Sequence, residues 1–127
     1  MTAFLGEAEI KVKRSRFLGR VWRCGSEAEA YELVQATKKE FRNAAHWVYA
    51  YALDGGVFRA NDNGEPPGTA GLPVLNALRS SGLSNAVCVV TRWFGGTKLG
   101  VDGLRQAYRE CAELACKVAG RKQNSHA

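Results

Sequence analysis

Two carboxylates and two cations, set in two glycine-rich stretches, are the groups of this chain best placed to do chemistry. Residues 61–73 read Asn-Asp-Asn-Gly-Glu-Pro-Pro-Gly-Thr-Ala-Gly-Leu-Pro and carry Asp62 and Glu65. Residues 92–105 read Arg-Trp-Phe-Gly-Gly-Thr-Lys-Leu-Gly-Val-Asp-Gly-Leu-Arg and carry Arg92 and Lys98. Two carboxylates three residues apart could hold a divalent cation or serve as an acid and base pair. Asp in such a loop also has a local use, accepting hydrogen bonds from nearby backbone N–H groups and fixing a tight turn. The turn role is preferred here, because the alternating oxygen ligands of a calcium loop do not accompany the pair, and no metal site is assigned. Thr69 suits the cap of a following helix; its other use is a hydroxyl offered to a ligand.

The second stretch invites a phosphate reading. Gly95-Gly96-Thr97-Lys98 has the ingredients of a P-loop, but in that motif Lys precedes the Ser or Thr, and here it follows. Backbone N–H groups of the paired glycines and a helix N-terminus near Gly103 could still form an anion nest, with Arg92 and Lys98 adding charge at either end. Close packing of this loop on the first one would need glycine equally. Trp93-Phe94 should expose one ring, a stacking surface for a base or a partner side chain, since strand alternation turns only one of two neighbours inward. His46 and His126 have no Ser, Cys or carboxylate beside them in the chain, so His46 reads as structural. Seven of the fourteen glycines and all three prolines lie in the two stretches. Such density points to two built loops sharing one surface. The candidate binding residues are therefore Asp62, Glu65, Thr69, Arg92, Gly95, Gly96 and Lys98, with no catalytic constellation and no cofactor assigned.

These stretches also carry a resemblance. Gly64-Glu65-Pro66, Gly68-Thr69-Ala70-Gly71 and Pro73, followed by Val89-Val90, Arg92, Phe94-Gly95-Gly96, Lys98-Leu99-Gly100, Gly103-Leu104 and Ala107-Tyr108, resemble the signature of the IMPACT/YigZ family. Weaker similarity extends to residues 13–17 and 45–51, so the likeness covers about the whole domain. Pro67, Trp93 and Asp102 depart from the pattern, Pro67 standing where a Ser is common; that weakens any proposal of a serine nucleophile. The resemblance implies a role in translation control. It also implies a superfold with a left-handed βαβ crossover, shared with a small-subunit ribosomal protein and with domain IV of elongation factor G. Other members usually carry a further N-terminal partner-binding domain or a C-terminal ferredoxin-like domain, neither of which is expected in these 127 residues.

The elements that must position these groups follow from periodicity. Phe4 to Cys24 reads as two strands with a turn or bulge near Arg14-Ser15. Ser26 with Glu29 forms a capping box ahead of a helix carrying Tyr31, Val34, Thr37 and Phe41 at helical spacing and ending near Arg42-Asn43. Trp47 to Leu53 and Val57 to Ala60 make a hairpin about Asp54-Gly55-Gly56. A helix starts between Thr69 and Leu72, with Pro73 in its first turn, and stops at Gly82. Ala86 to Thr91, apolar on both faces, reads as a central buried strand. Leu104, Ala107, Tyr108, Cys111, Leu114/Ala115 and Val118 then mark an amphipathic helix. The order ββαββαβα predicts an α+β, two-layer sandwich with helices on one face of a mostly antiparallel sheet. One domain is expected over 1–119 and a flexible tail over 120–127.

Length, composition and charge bound the function. The 127 residues suffice for one domain with a real core, and 46% hydrophobic with 24% charged residues is ordinary for a globular protein. No run approaches the roughly 20 apolar residues of a membrane span, and the first residues show no secretory signal. Cys24, Cys88, Cys111 and Cys116 lack zinc or disulfide spacing, so reduced thiols in a cytoplasmic protein are expected, with Cys88 and Cys111 as small core hydrophobes. The net charge of +6 is uneven: Lys11, Lys13, Arg14, Arg16, Arg20 and Arg23 fall in one acid-free run. Such a patch attracts nucleic acid or an acidic protein surface, or simply keeps a hairpin solvated. The leading expectation is a non-catalytic binding module in translation regulation or stress response, with a protein partner from the translation machinery or its regulators. The alternatives are an RNA- or ribosome-binding domain and a phosphate-handling enzyme using Asp62, Glu65, Arg92 and Lys98.

Overall fold

The computed structural model of the chain describes residues 1–124. Two long strands open it, β1 (Ala3–Val12) and β2 (Ser15–Arg23), paired antiparallel across a two-residue turn. The turn residues Lys13 and Arg14 both have positive φ, 45° and 71°, the sign pattern of the tight turn that matches strand twist. Then come α1 (Glu27–Glu40), β3 (His46–Leu53), β4 (Val57–Asn61), α2 (Gly71–Ser80), β5 (Ala86–Trp93) and α3 (Gly100–Asn124). The strands form one sheet in the order β1-β2-β5-β3-β4, with every neighbouring pair antiparallel. β2 and β3 both run against β5 and so lie parallel to each other, with α1 crossing between them. β5 is central, which explains its uninterrupted apolar run.

Local chemistry sets the helix ends. The Ser26 hydroxyl accepts from the Glu29 N–H at 3.1 Å, and the Glu29 carboxylate reaches back to the Gly25 N–H at 2.7 Å. α1 ends at Glu40, two or three residues earlier than its periodicity predicts, because the Phe41 N–H closes the last turn on the Thr37 carbonyl while its own backbone leaves the helical region. Residues 120–124, expected from their polarity to fray, continue α3 as helix. Residues 125–127 of the expected tail lie outside the described residues.

The α+β class and the antiparallel sheet are as the sequence predicts, but the layering is richer. α2 and α3 cover one face, packing on Phe17, Val21, Val48, Ala50, Cys88 and Val90. α1 covers the other, where Ala30 and Val34 meet Tyr49, Tyr51, Val87 and Val89. Helical periodicity says which side of a helix is apolar and is silent on which side of the sheet receives it. The buried stripe of α3 runs Leu104, Ala107, Tyr108, Cys111, Ala112, Ala115, Cys116 and Ala119, while Leu114 and Val118 are partly exposed. Ala and Cys leave room for a close approach: a Cβ on Gly19 of β2 would come within 3.1 Å of the Cys111 sulfur. In the same way Ala30, not Tyr31, faces the core from α1.

Candidate functional site

β5 ends at the edge of the α2–α3 face, and its alternation turns Arg92 inward beneath the first glycine-rich loop. Arg92 and Glu65 are both buried, at 5% and 7% exposure. The Arg92 Nη1 donates to both Glu65 oxygens, at 2.8 and 3.1 Å. The Arg92 Nε and Nη2 donate to the Ser15 hydroxyl oxygen at 3.4 and 3.2 Å, and the Gly95 N–H reaches the same oxygen at 3.2 Å. Tyr108, from α3, donates its phenolic proton to Glu65. Burial, followed by the Glu65 charge and hydrogen bond, holds that phenol far above its ordinary pKa, so Tyr108 acts only as a donor. His46 opens β3 with Nε2 3.4 Å from Glu65 and Nδ1 3.2 Å from the Asn63 carbonyl. One carboxylate thus gathers groups from β3, β5, α3 and the first loop, and through Arg92 the β1–β2 turn.

This network floors a cleft of about 400 Å³. Pro66, Phe94, Leu99, Val101 and Leu104 form apolar walls, and Lys98 and Gly100 lie at its side. Phe94 is 54% exposed and Val101 49%. Trp93 turns the other way, edge-on to Phe41 at 5.2 Å and under the Arg16 guanidinium at 4.4 Å. The two glycine-rich stretches therefore meet, through Glu65 and Pro66 on one side and Arg92, Phe94 and Lys98 on the other.

The other candidates serve the frame. The Asp62 carboxylate accepts from the N–H groups of Gly68 (3.0 Å), Ala70 (3.1 Å) and Gly71 (2.8 Å). It closes the loop and caps α2, which is the turn role. Thr69 does not cap: the N-cap is Ala70, without a side-chain bond, and the Thr69 hydroxyl donates to the Pro66 carbonyl at 2.6 Å. Asp62 reaches the helix end first because the loop doubles back over it. Asp62 and Glu65 thus engage separate partners, and among the described residues no group of three or more His, Cys, Asp or Glu is placed to hold a metal. Asp62→Ala should lower stability by about 1–3 kcal/mol, the cost of stranding partly buried donors, read from a urea melt. Asp62→Asn, which keeps an acceptor, should lose less.

Gly95 packs on the β1–β2 turn instead of the first loop, with its N–H committed to Ser15; Gly96 is exposed at φ 90°. The anion nest expected of this pair therefore has one donor fewer, and α3 begins at Gly100, earlier than Gly103. The basic run is also partly neutralised. Arg20 bonds Glu7, its cross-strand partner, at 3.1 Å and Glu40 at 2.9 Å; Arg16 bonds Glu9 at 2.9 Å. Lys11, Lys13, Arg14 and Arg23 have no ion pair among the described residues. Ser15 is a site residue absent from the sequence-based candidates, while His46, which reads as structural in the sequence, and Tyr108, which reads as core, both stand against Glu65. For Ser15 a signal existed: it holds the inward parity of Phe17, Gly19 and Val21, where a hydroxyl must find a buried partner.

A fold of this order with a cleft of this make-up invites comparison with known proteins. The model of the Impact N-terminal domain matches residues 13–116, and the chain belongs to that family. It is 46% identical over 105 residues to the IMPACT family member YvyE of Bacillus subtilis, an alignment covering 81% of this chain and 48% of YvyE. The chain spans about half the length of the curated relatives it matches. Among solved structures it superimposes on that of a hypothetical protein with a TM-score of 0.84 and 29% identity, over 91% of this chain and 60% of the other. It shares its fold, at a TM-score of 0.55 and 24% identity, with the two-domain translational regulator Yih1, over 85% of this chain and 45% of that one.

Proposed function

We propose that this domain is a non-catalytic binding module of translation regulation, working in the cytoplasm and recognising a protein partner through the cleft. One observation carries the reading. Glu65 and Arg92, the groups that would have to do acid–base chemistry or hold a phosphate, are committed to each other beneath the surface, while the walls left to a partner are apolar. A protein segment presenting an apolar side chain, with an acidic residue near Lys98, fits such a surface. The translation context draws on the family and on the fold shared with a translational regulator, and a role in stress response belongs to the same proposal. The phosphate-handling alternative loses support, because among the described residues Asp62, Glu65 and Arg92 are engaged with partners and Lys98 alone of the four has none. RNA or ribosome binding keeps one supporting feature: Lys11, Lys13, Arg14 and Arg23 are free of ion pairs among the described residues.

The test is affinity capture from cell extract with and without nuclease, using the wild type, Phe94→Ala and a triple charge reversal at Lys11, Lys13 and Arg14. Capture of translation-machinery proteins should survive nuclease and fall about tenfold or more in Phe94→Ala, the usual loss for an aromatic anchor. The charge reversal should chiefly weaken the salt dependence of association. Capture that vanishes with nuclease and follows the charge reversal would favour the RNA reading. Equal capture by Phe94→Ala would remove the cleft from the account.

A further inference from the structure

The cleft leaves both edges of the sheet unused. β4, at one edge, is five residues long, and its single charge, Arg59, lies 3.7 Å from Glu27. β1, at the other edge, is ten residues long and pairs with β2 on one side only. A bulge between Phe4 and Gly6 interrupts it, so its regular stretch runs from Gly6 to Val12. Alternation sends Ala8, Ile10 and Val12 toward α3, where they are partly buried against the core. Glu7, Glu9 and Lys11 point the other way and are exposed. An open edge of this length invites a further strand, and proteins commonly block it with like charges, above all lysines. Here the charges change sign along the strand instead, from Glu7 and Glu9 to Lys11 and to Lys13 in the turn that follows.

We propose that β1 is the interface for a second copy of this chain, joined antiparallel with Ile10 of each copy opposite the other. The register follows from charge. In an edge strand every second residue turns its N–H and C=O outward, so two such edges slide past each other only in steps of two residues. With Ile10 on the twofold axis, Glu9 stands opposite Lys11 of the second copy and Glu7 opposite its Lys13, and symmetry repeats both pairs. On the other face Ala8 meets Val12. A step in one direction sets Glu9 against Glu9, and a step in the other sets Lys11 against Lys11. Only the Ile10 register matches every charge with its opposite.

The surroundings of the strand suit this contact. Arg20 and Arg16 hold Glu7 and Glu9 from the β2 side, yet the two carboxylates keep 49% and 41% of their surface exposed. Lys11 stands opposite Arg16 in the β1–β2 ladder, so an acid on its outer side relieves a like-charge pair. Glu110 borders Val12 and Lys13 from α3, on the sheet face away from Glu9 and Lys11. α3 straddles β1 and β2, with Val118 over Gly6 and Cys111 over Gly19. Two copies so joined hold their α3 helices two strand spacings apart, about 10 Å, a distance at which helices pack. A twofold pairing uses up the β1 edge of both copies and closes on itself, so assembly stops at a dimer. None of the residues involved belongs to the cleft.

The wild-type chain supplies the first test. A mixture of chains grown on light and heavy nitrogen is treated with a carbodiimide, which joins carboxylates to amines. Mixed-isotope peptides should link Glu9 to Lys11 and Glu7 to Lys13. Sedimentation should show a species of twice the chain mass that dissociates on dilution and with added salt. Glu9→Lys and Lys11→Glu, each checked for folding by circular dichroism, turn opposite pairs into like ones, and each should weaken self-association about tenfold or more. Mixed together, the two variants should form a heterodimer, because every charge then faces its opposite again. A wild type that stays monomeric up to millimolar concentration would overturn the proposal. So would single variants that dimerise as the wild type does, a mixture without heterodimer, or inter-chain links from Glu9 to other lysines.

Discussion

Arg92→Met should destabilise the domain by about 3–5 kcal/mol, because it leaves the Glu65 carboxylate buried without its cation. The geometry makes the loss steep: Arg92 donates to both oxygens of Glu65 and also holds Ser15, so one change releases the first loop and the β1–β2 turn together. Adding Glu65→Gln should recover part of the loss by removing the uncompensated charge while leaving an acceptor for Tyr108. The coupling between the two changes should fall in the range of about 0.5–3 kcal/mol expected of contacting residues. Urea melts of the two single variants and the double variant measure it. Additive losses would mean that Glu65 and Arg92 act independently, against the geometry.

Gly95→Ala is the second large effect, and it arises from space instead of dihedral angle. A Cβ at Gly95 would lie 2.1 Å from the Arg14 carbonyl carbon and 2.5 Å from the Ser15 nitrogen, both backbone atoms that cannot step aside. The β1–β2 turn would have to move away from the second loop, taking Ser15 from Arg92 and from the Gly95 N–H. The cost should reach or exceed the upper end of the about 1–3 kcal/mol typical of overpacking. Gly96→Ala makes the contrast. Nothing lies within 4 Å of its Cβ position, but its φ of 90° disfavours a side chain, at a cost of about 1–2 kcal/mol. Thermal melts of the two variants should therefore separate, Gly95→Ala well below Gly96→Ala. Equal melting temperatures would show that the close approach to Arg14 and Ser15 is not rigid.

Much of this architecture is legible in the sequence, because strands and helices announce themselves by local period. Asn61 to Pro73 and Arg92 to Arg105 stand out through their glycines and, in the first, its prolines, although the loops themselves are residues 62–70 and 94–99 and the flanks belong to β4, α2, β5 and α3; the capping of α1 is written in Ser26 and Glu29. What the sequence hides is tertiary pairing. His46 lies nineteen positions before Glu65 with nothing between to couple them, yet β3 and the first loop set them 3.4 Å apart. Tyr108 sits in a stripe of Ala, Cys and Leu and counts as core there. Its hydroxyl, which burial obliges to find an acceptor, is the part that belongs to the site. The acid-free run from Lys11 to Arg23 looks like an open cationic field only in one dimension. Once β1 folds back on β2, Glu7 stands opposite Arg20 and Glu9 reaches Arg16. The placement of α1 on the far face of the sheet is hidden for the same reason.

A photo-crosslinking amino acid placed at Val101, which is exposed in the cleft wall, tests the central claim most directly; Phe58, on the exposed edge strand β4, is the control position. After irradiation of cells and nuclease treatment, the Val101 probe should trap a component of the translation machinery, identified by mass spectrometry, and Phe94→Ala in the same chain should abolish the adduct. The Phe58 probe should trap none of it. Adducts that form equally from Phe58, that persist with Phe94→Ala, or that disappear with nuclease would contradict a protein-binding cleft built by the two loops.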